Sequence, residues 1–107
     1  MKRIGRVSRL KPGAATQYER IHEAVWPEVV EAIRRAGIAN YSIFRHGEWL
    51  FSYLEVPENR PIEDVWKKLD DSPECRRWEA LMEPLRREDE AGAWQPMKEV
   101  WHLEEIP

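Results

Sequence analysis

The stretch Asn40-Tyr-Ser-Ile-Phe-Arg45-His46-Gly47-Glu48-Trp49-Leu-Phe-Ser-Tyr-Leu-Glu-Val56 decides the fold. Two runs rich in aromatic and β-branched side chains, Asn40 to Arg45 and Trp49 to Val56, flank the turn pair His46-Gly47 and so read as an antiparallel hairpin. Successive side chains of a strand point to opposite faces. In the second run Leu50, Ser52, Leu54 and Val56 therefore share one face, while Trp49, Phe51 and Tyr53 line the other, and both faces are apolar. Helices of the same chain can cover one of them. The other needs a second cover, and another copy of the chain is the economical one, because a sheet this small cannot leave an aromatic face in water.

Towards the N-terminus, Lys2 to Leu10 reads as a strand ended by Lys11-Pro12-Gly13, with Arg6 and Ser8 on the same side as Ile4 and Leu10. The pattern is helical from Ala14 to Val25. Pro27 then removes an amide and disfavours helical geometry at Trp26, so the chain breaks there and a second helix runs from Pro27 to Ala36, stopped by Gly37. Beyond the hairpin, Pro57 to Pro61 is a linker, and Ile62, Val65, Trp66 and Leu69 mark a short amphipathic helix. Ser72 caps another, with Pro73 at its first position and Cys75, Trp78, Met82 and Leu85 as its inner stripe. Arg86 to Pro96 reads as a charged loop and Met97 to Leu103 as the last strand. Strand, helix, strand, strand, helix pair, strand is the split βαβ, ferredoxin-like α+β order: an antiparallel sheet with helices on one face. The doubly apolar sheet predicts two such sheets facing each other in a dimeric α/β barrel.

With 107 residues the chain supports one hydrophobic core, hence a single domain over 1–107. Its 17 basic and 20 acidic residues are interspersed without a basic block, which argues against nucleic acid as a partner. No apolar run approaches the roughly 20 residues of a membrane span. The N-terminal Met-Lys-Arg-Ile-Gly also lacks the apolar core of a signal peptide, so a cytoplasmic protein without membrane contact is expected. The single cysteine, Cys75, forms no internal disulfide and no zinc cluster, and reads as a core filler. Six tryptophans exceed what a core this size normally uses, and indoles favour interfaces and sugar rings.

The four-residue steps Tyr18, His22 and Trp26 put a phenol, an imidazole and an indole near one helix face. Ile21, Val25, Val29, Ile33 and Ala36 continue nearly the same stripe, so that side is buried and the polar tips need partners. Tyr41, from the start of the second strand, and Trp78 can join them in a cleft between helices and sheet. Such a cleft holds one group that titrates near neutral pH, two phenols that donate and accept, and a ring for stacking. It has no Cys or Ser nucleophile beside a base, no Gly-rich phosphate loop and no metal-spaced His/Cys cluster, so neither a metal nor a cofactor is expected. Proton transfer on a neutral polyol, or binding alone, remains. Trp26, Trp49, Trp66, Trp94 and Trp101 read as structural residues, and His46 and His102 as surface ones.

The chain resembles the L-rhamnose mutarotase family over almost its whole length. The matching signatures are Tyr18-x-x-x-His22-x-x-x-Trp26-Pro27-Glu28, Gly37-x-x-Asn40-Tyr41, Cys75-x-Arg77-Trp78 and the closing Glu99-Val100-Trp101-His102-Leu103. The resemblance implies a homodimer that interconverts the α and β anomers of L-rhamnopyranose without a cofactor. It makes His22 the proton donor and Tyr18, Tyr41 and Trp78 substrate-binding residues. Where family members typically carry two adjacent tryptophans, this chain has Trp78-Glu79, so Glu79 offers the sugar an acceptor in place of an indole, or simply faces solvent. Related proteins act on L-fucose, the alternative 6-deoxyhexose substrate. Ring opening needs the ring oxygen protonated as the anomeric hydroxyl loses its proton. A general acid with a pKa near working pH suits the first demand, and His22 is the imidazole in the cleft; a phenol of Tyr18 or Tyr41, or a water, relays the second proton. Two other classes fit the expected fold: a dimeric α/β barrel monooxygenase acting on aromatic substrates, and a non-catalytic sugar-binding module.

Overall fold

The computed structural model describes residues 1–105. Strands Lys2–Arg9 (β1), Ala39–His46 (β2), Trp49–Val56 (β3) and Gln95–Met97 (β4) form one sheet in the order β2-β3-β1-β4, with every neighbouring pair antiparallel. Helices Ala15–His22 (α1), Pro27–Arg35 (α2), Ile62–Asp70 (α3) and Pro73–Met82 (α4) complete the ferredoxin-like α+β order expected from the sequence.

The hairpin forms as read, with His46 opposite Trp49 and Gly47 in the left-handed region at φ 61°. Along β3 burial alternates strictly. Leu50, Ser52, Leu54 and Val56 are buried under the helices, whereas Trp49 is exposed and Phe51 and Tyr53 are half-buried on the outer face. The inner face feeds two apolar clusters. Leu10, Tyr18, Leu50, Met82 and Leu85 pack at one end, and Ala36, Ile38, Leu54, Val56 and Val65 at the other. Between them β1 lays Arg6 opposite Ser52, so a guanidinium enters the layer at the middle of the sheet.

Local chemistry sets what reaches that layer. Helix α1 stops at His22, three residues short of the expected Val25, and Trp26 takes an extended conformation (φ −59°, ψ 134°) because Pro27 follows. At the start of β2 a register shift between Ala39 and Ser42 accompanies Asn40 at φ 49°, a left-handed position that asparagine tolerates. Tyr41, next in the chain, packs towards the helical cluster. Ser72 caps α4 as expected, its hydroxyl accepting from the Cys75 amide.

The last strand departs from expectation. It covers Gln95–Met97, not Met97 to Leu103, and residues 98–102 leave the sheet. Pro96 lies within β4, which an edge strand tolerates, so proline was a poor guide to where pairing begins. The apolar residues beyond it are not drawn into the sheet: Val100, Trp101 and Leu103 are exposed. The expected loop from Arg86 to Pro96 is also more ordered than its composition suggests. Arg86 bridges to Leu10, residues Glu90–Gly92 form a 3-10 turn, and the Ser8 hydroxyl donates to the Gly92 carbonyl at 2.8 Å. A Cβ on Gly92 would lie 1.7 Å from the Arg87 carbonyl oxygen, so only glycine fits this close approach. The turn thereby brings Trp94 back over the sheet. Cys75 is half-buried and lines the cleft described next, not a core position, because it stands on the helix edge facing that opening.

Candidate active site

An open cleft of about 1910 Å³ separates the helical layer from the inner face of the sheet, larger than the roughly 300–1,000 Å³ of small-molecule sites, so a ligand uses part of it. The helical repeat of α1 places Tyr18 and His22 one above the other, with ring centroids 4.3 Å apart. The His22 Nδ1 lies 2.9 Å from the Tyr18 carbonyl oxygen. A carbonyl only accepts, so Nδ1 carries a proton and the exchangeable position of the ring is Nε2. Trp78, on α4, meets His22 edge to face at 5.5 Å and Trp26 at 5.2 Å. Trp26 thus braces the indole that braces the imidazole, which is why the break at Pro27 matters to the site.

Tyr18, His22, Tyr41 and Trp78 line this cleft, and so does Glu79, for which the sequence left both the cleft and solvent open. The Glu79 side chain is 53% exposed, and its carboxylate accepts from the buried Arg86 side chain. Three further cleft residues, Arg6, Trp66 and Trp94, were not expected at the site from the sequence, which placed Arg6 only by its side of the strand and read both indoles as structural. Arg6 donates from Nη2 to the Tyr41 hydroxyl at 2.9 Å and from Nε to the Ser52 hydroxyl at 3.2 Å. Its guanidinium carbon lies 4.9 Å from the Trp66 ring centre and 4.8 Å from that of Trp94. Both indoles are therefore part of the site, not merely core packing. The strand alternation already put Arg6 on the inner side, but nothing local said that two distant tryptophans would close around it. Among the described residues no group of three His, Cys, Asp or Glu side chains is arranged to hold a metal ion.

Burial sets the electrostatics. Desolvation pushes the Tyr18 phenol up to about 12, with the neighbouring Tyr41 adding to the rise and Arg86 and Arg6 opposing it. Arg86 is held below its ordinary value by the same desolvation. Tyr18 is thus a neutral hydrogen-bonding group throughout the physiological range. A consequence is measurable in stability. The folded protein holds the Tyr18 proton more tightly than the unfolded chain, so this group costs nothing below pH 10 and destabilises progressively as pH rises from 10 to 12. The full effect is about 3 kcal/mol, from roughly two pKa units at about 1.4 kcal/mol each. Urea unfolding of wild type and Tyr18→Phe between pH 9 and 12 is expected to show the wild type losing stability relative to the variant; parallel curves would refute the burial argument.

Comparison with known proteins gives a consistent result. A family model described as L-rhamnose mutarotase matches residues 3–103. The L-rhamnose mutarotase of Lactiplantibacillus plantarum is 35% identical over 109 aligned positions that cover 97% of this chain and 100% of that protein. That of Bacillus subtilis is 33% identical, covering 97% and 100%. Among solved structures, the L-rhamnose mutarotase from Formosa agariphila matches with a TM-score of 0.76 over 95% of this chain and 98% of that one, at 22% identity, a likeness of fold.

Proposed function

The chain belongs to the L-rhamnose mutarotase family, and from that premise we propose that its cleft interconverts the α and β anomers of L-rhamnopyranose. It is a carbohydrate isomerase. The observation that carries the reading at this site is His22, committed through Nδ1 to the Tyr18 carbonyl and set beside the Trp78 ring. In mutarotation each half-reaction is the reverse of the other in kind. A group that takes a proton in one half gives it back in the other, so the same imidazole acts in both, exchanging one proton at Nε2. Tyr18, Tyr41, Trp78 and Glu79 hold the sugar in this reading, the phenols and the carboxylate meeting hydroxyls and the indole meeting the apolar face of the ring. No metal or cofactor has a part in it. The test is anomer exchange measured by NMR, with L-rhamnose and L-fucose side by side, because the family resemblance implies an indole at the position that Glu79 holds.

Trp78 acts on binding more than on rate. Returning some 60 Å² of apolar sugar and indole surface to water, at about 25 cal/mol per Å², costs about 1.5 kcal/mol, roughly a tenfold loss of affinity. Stacking holds ground state and transition state alike, so Trp78→Ala is expected to raise the dissociation constant about tenfold with a small change in exchange rate at saturating sugar. Calorimetry paired with NMR exchange checks this; unchanged affinity would place the sugar elsewhere in the cleft.

The working form in this reading is a homodimer in the cytoplasm. Phe44 (63% exposed), Trp49 and Met97 stand on or beside an outer sheet face that bears no helix among the described residues. Glu99 pairs with Arg3 of that face, and the exposed Val100, Trp101 and Leu103 follow directly. Apolar surface of this extent is what an obligate interface covers. No helix of the described residues is long and apolar enough to cross a membrane.

A further inference from the structure

We propose that Tyr41 is the second proton-transfer residue of the anomer exchange, with Arg6 as the positioning residue that makes its hydroxyl a fixed donor. The inference rests on the mutarotase reading and completes it, since ring opening moves two protons and His22 accounts for one.

The two phenols of the cleft are not equivalent. A guanidinium has donors and no acceptor, so the 2.9 Å contact from Arg6 Nη2 occupies an acceptor position on the Tyr41 oxygen and turns its O–H away from Arg6. Arg6 itself is held on three sides, by the Ser52 hydroxyl and by the rings of Trp66 and Trp94. Among the described residues no carboxylate pairs with it, so its charge is free to act on the phenol. Tyr18 has no such donor on its oxygen among the described contacts, and its burial disfavours any charge developing there. Tyr41 can release a proton and leave the resulting phenolate in a charge-assisted hydrogen bond from Arg6.

The step balances as follows. His22 Nε2 takes the proton of the anomeric hydroxyl O1, and the O–H electron pair becomes the second bond of the C1=O1 carbonyl. The C1–O5 bond breaks with its pair on the ring oxygen O5, which takes the Tyr41 proton. After rotation about C1–C2, O5 attacks the other face of C1 and returns its proton to Tyr41, while O1 recovers a proton from His22. Each residue ends as it began. His22 is the proton donor of ring closure, and Tyr41 that of ring opening.

The experiment measures anomer exchange of L-rhamnose, at saturating and at low sugar, in wild type, Tyr41→Phe, Tyr18→Phe, Arg6→Gln, Arg6→Lys and the double variant Tyr41→Phe/Arg6→Gln, each confirmed folded by circular dichroism. Tyr41→Phe is expected to lower the saturated rate by about 10² or more, in the range of a lost acid–base group, with affinity changed only a few-fold. Tyr18→Phe should change the saturated rate far less. Arg6→Gln should lower it by about tenfold in wild type and hardly at all in the Tyr41→Phe background, a non-additivity that a merely structural Arg6 would not show, with partial recovery in Arg6→Lys. A folded Tyr41→Phe protein that exchanges at the wild-type rate, or additive losses in the double variant, overturns the inference while leaving the mutarotase reading in place. A wild-type protein that exchanges no anomers overturns both.

Discussion

Replacing His22 with Asn slows anomer exchange by about 10² to 10⁴, the range of a lost general acid–base group, while leaving sugar affinity nearly unchanged. The expectation follows from what His22 touches. Its Nδ1 bond runs to a backbone carbonyl within the same helix, so no distant element depends on it for position. Its ring packs on Tyr18 and Trp78, which stay in place on α1 and α4 when the imidazole is replaced. Asparagine keeps a polar group of similar reach but has no ring nitrogen that can take up and return a proton. The saturated rate should therefore fall and the dissociation constant should not, the pattern of an interaction made in the transition state. A folded His22→Asn protein with wild-type exchange would make the imidazole a structural residue.

The second large effect is on assembly. Phe51 lies in the middle of β3, opposite Val7 on β1 and Phe44 on β2, and all three project from the outer face. Phe51→Asp puts a carboxylate at the centre of the surface that two subunits are proposed to share. An unpaired charge there costs several kcal/mol on dimerisation, more than the removal of an aromatic contact alone. When the folded subunit depends on its partner, that loss appears as a fall in stability that grows on dilution. Light scattering and thermal unfolding across micromolar concentrations are expected to show a concentration-dependent wild-type dimer and a largely monomeric, less stable Phe51→Asp. A wild-type protein that is a stable folded monomer at micromolar concentration would contradict the dimer.

The hairpin was legible because its signal is local and double. A turn glycine and a strict alternation say which residues pair and which face each one takes, and β3 obeys that alternation at all eight positions. The helix break at Trp26 was legible for the same reason, since proline acts on its immediate neighbour. The C-terminal strand was misplaced because its alternating residues lie in the exposed 98–103 segment, while the residues that pair include a proline. Strand pairing at a sheet edge depends on what β1 offers and not on the edge sequence alone. In the site, His22, Tyr18, Tyr41 and Trp78 could be named from spacing and family signatures. Arg6, Trp66 and Trp94 could not, because their meeting joins β1, α3 and the turn after Gly92, three segments whose contacts no sequence period encodes. Glu79 was identifiable as a departure from the family pattern, but its pairing with Arg86 depends on the chain turning back after α4.

The most direct test of the account is saturation transfer between the two anomeric proton resonances of L-rhamnose, recorded with and without a catalytic amount of the protein. Irradiating one anomer is expected to attenuate the other in proportion to enzyme concentration, more strongly for L-rhamnose than for L-fucose, and to lose that effect with His22→Asn. Anomeric resonances that stay independent at every protein concentration, for a sugar that calorimetry shows to be bound, would contradict it and make the cleft a binding site without catalysis.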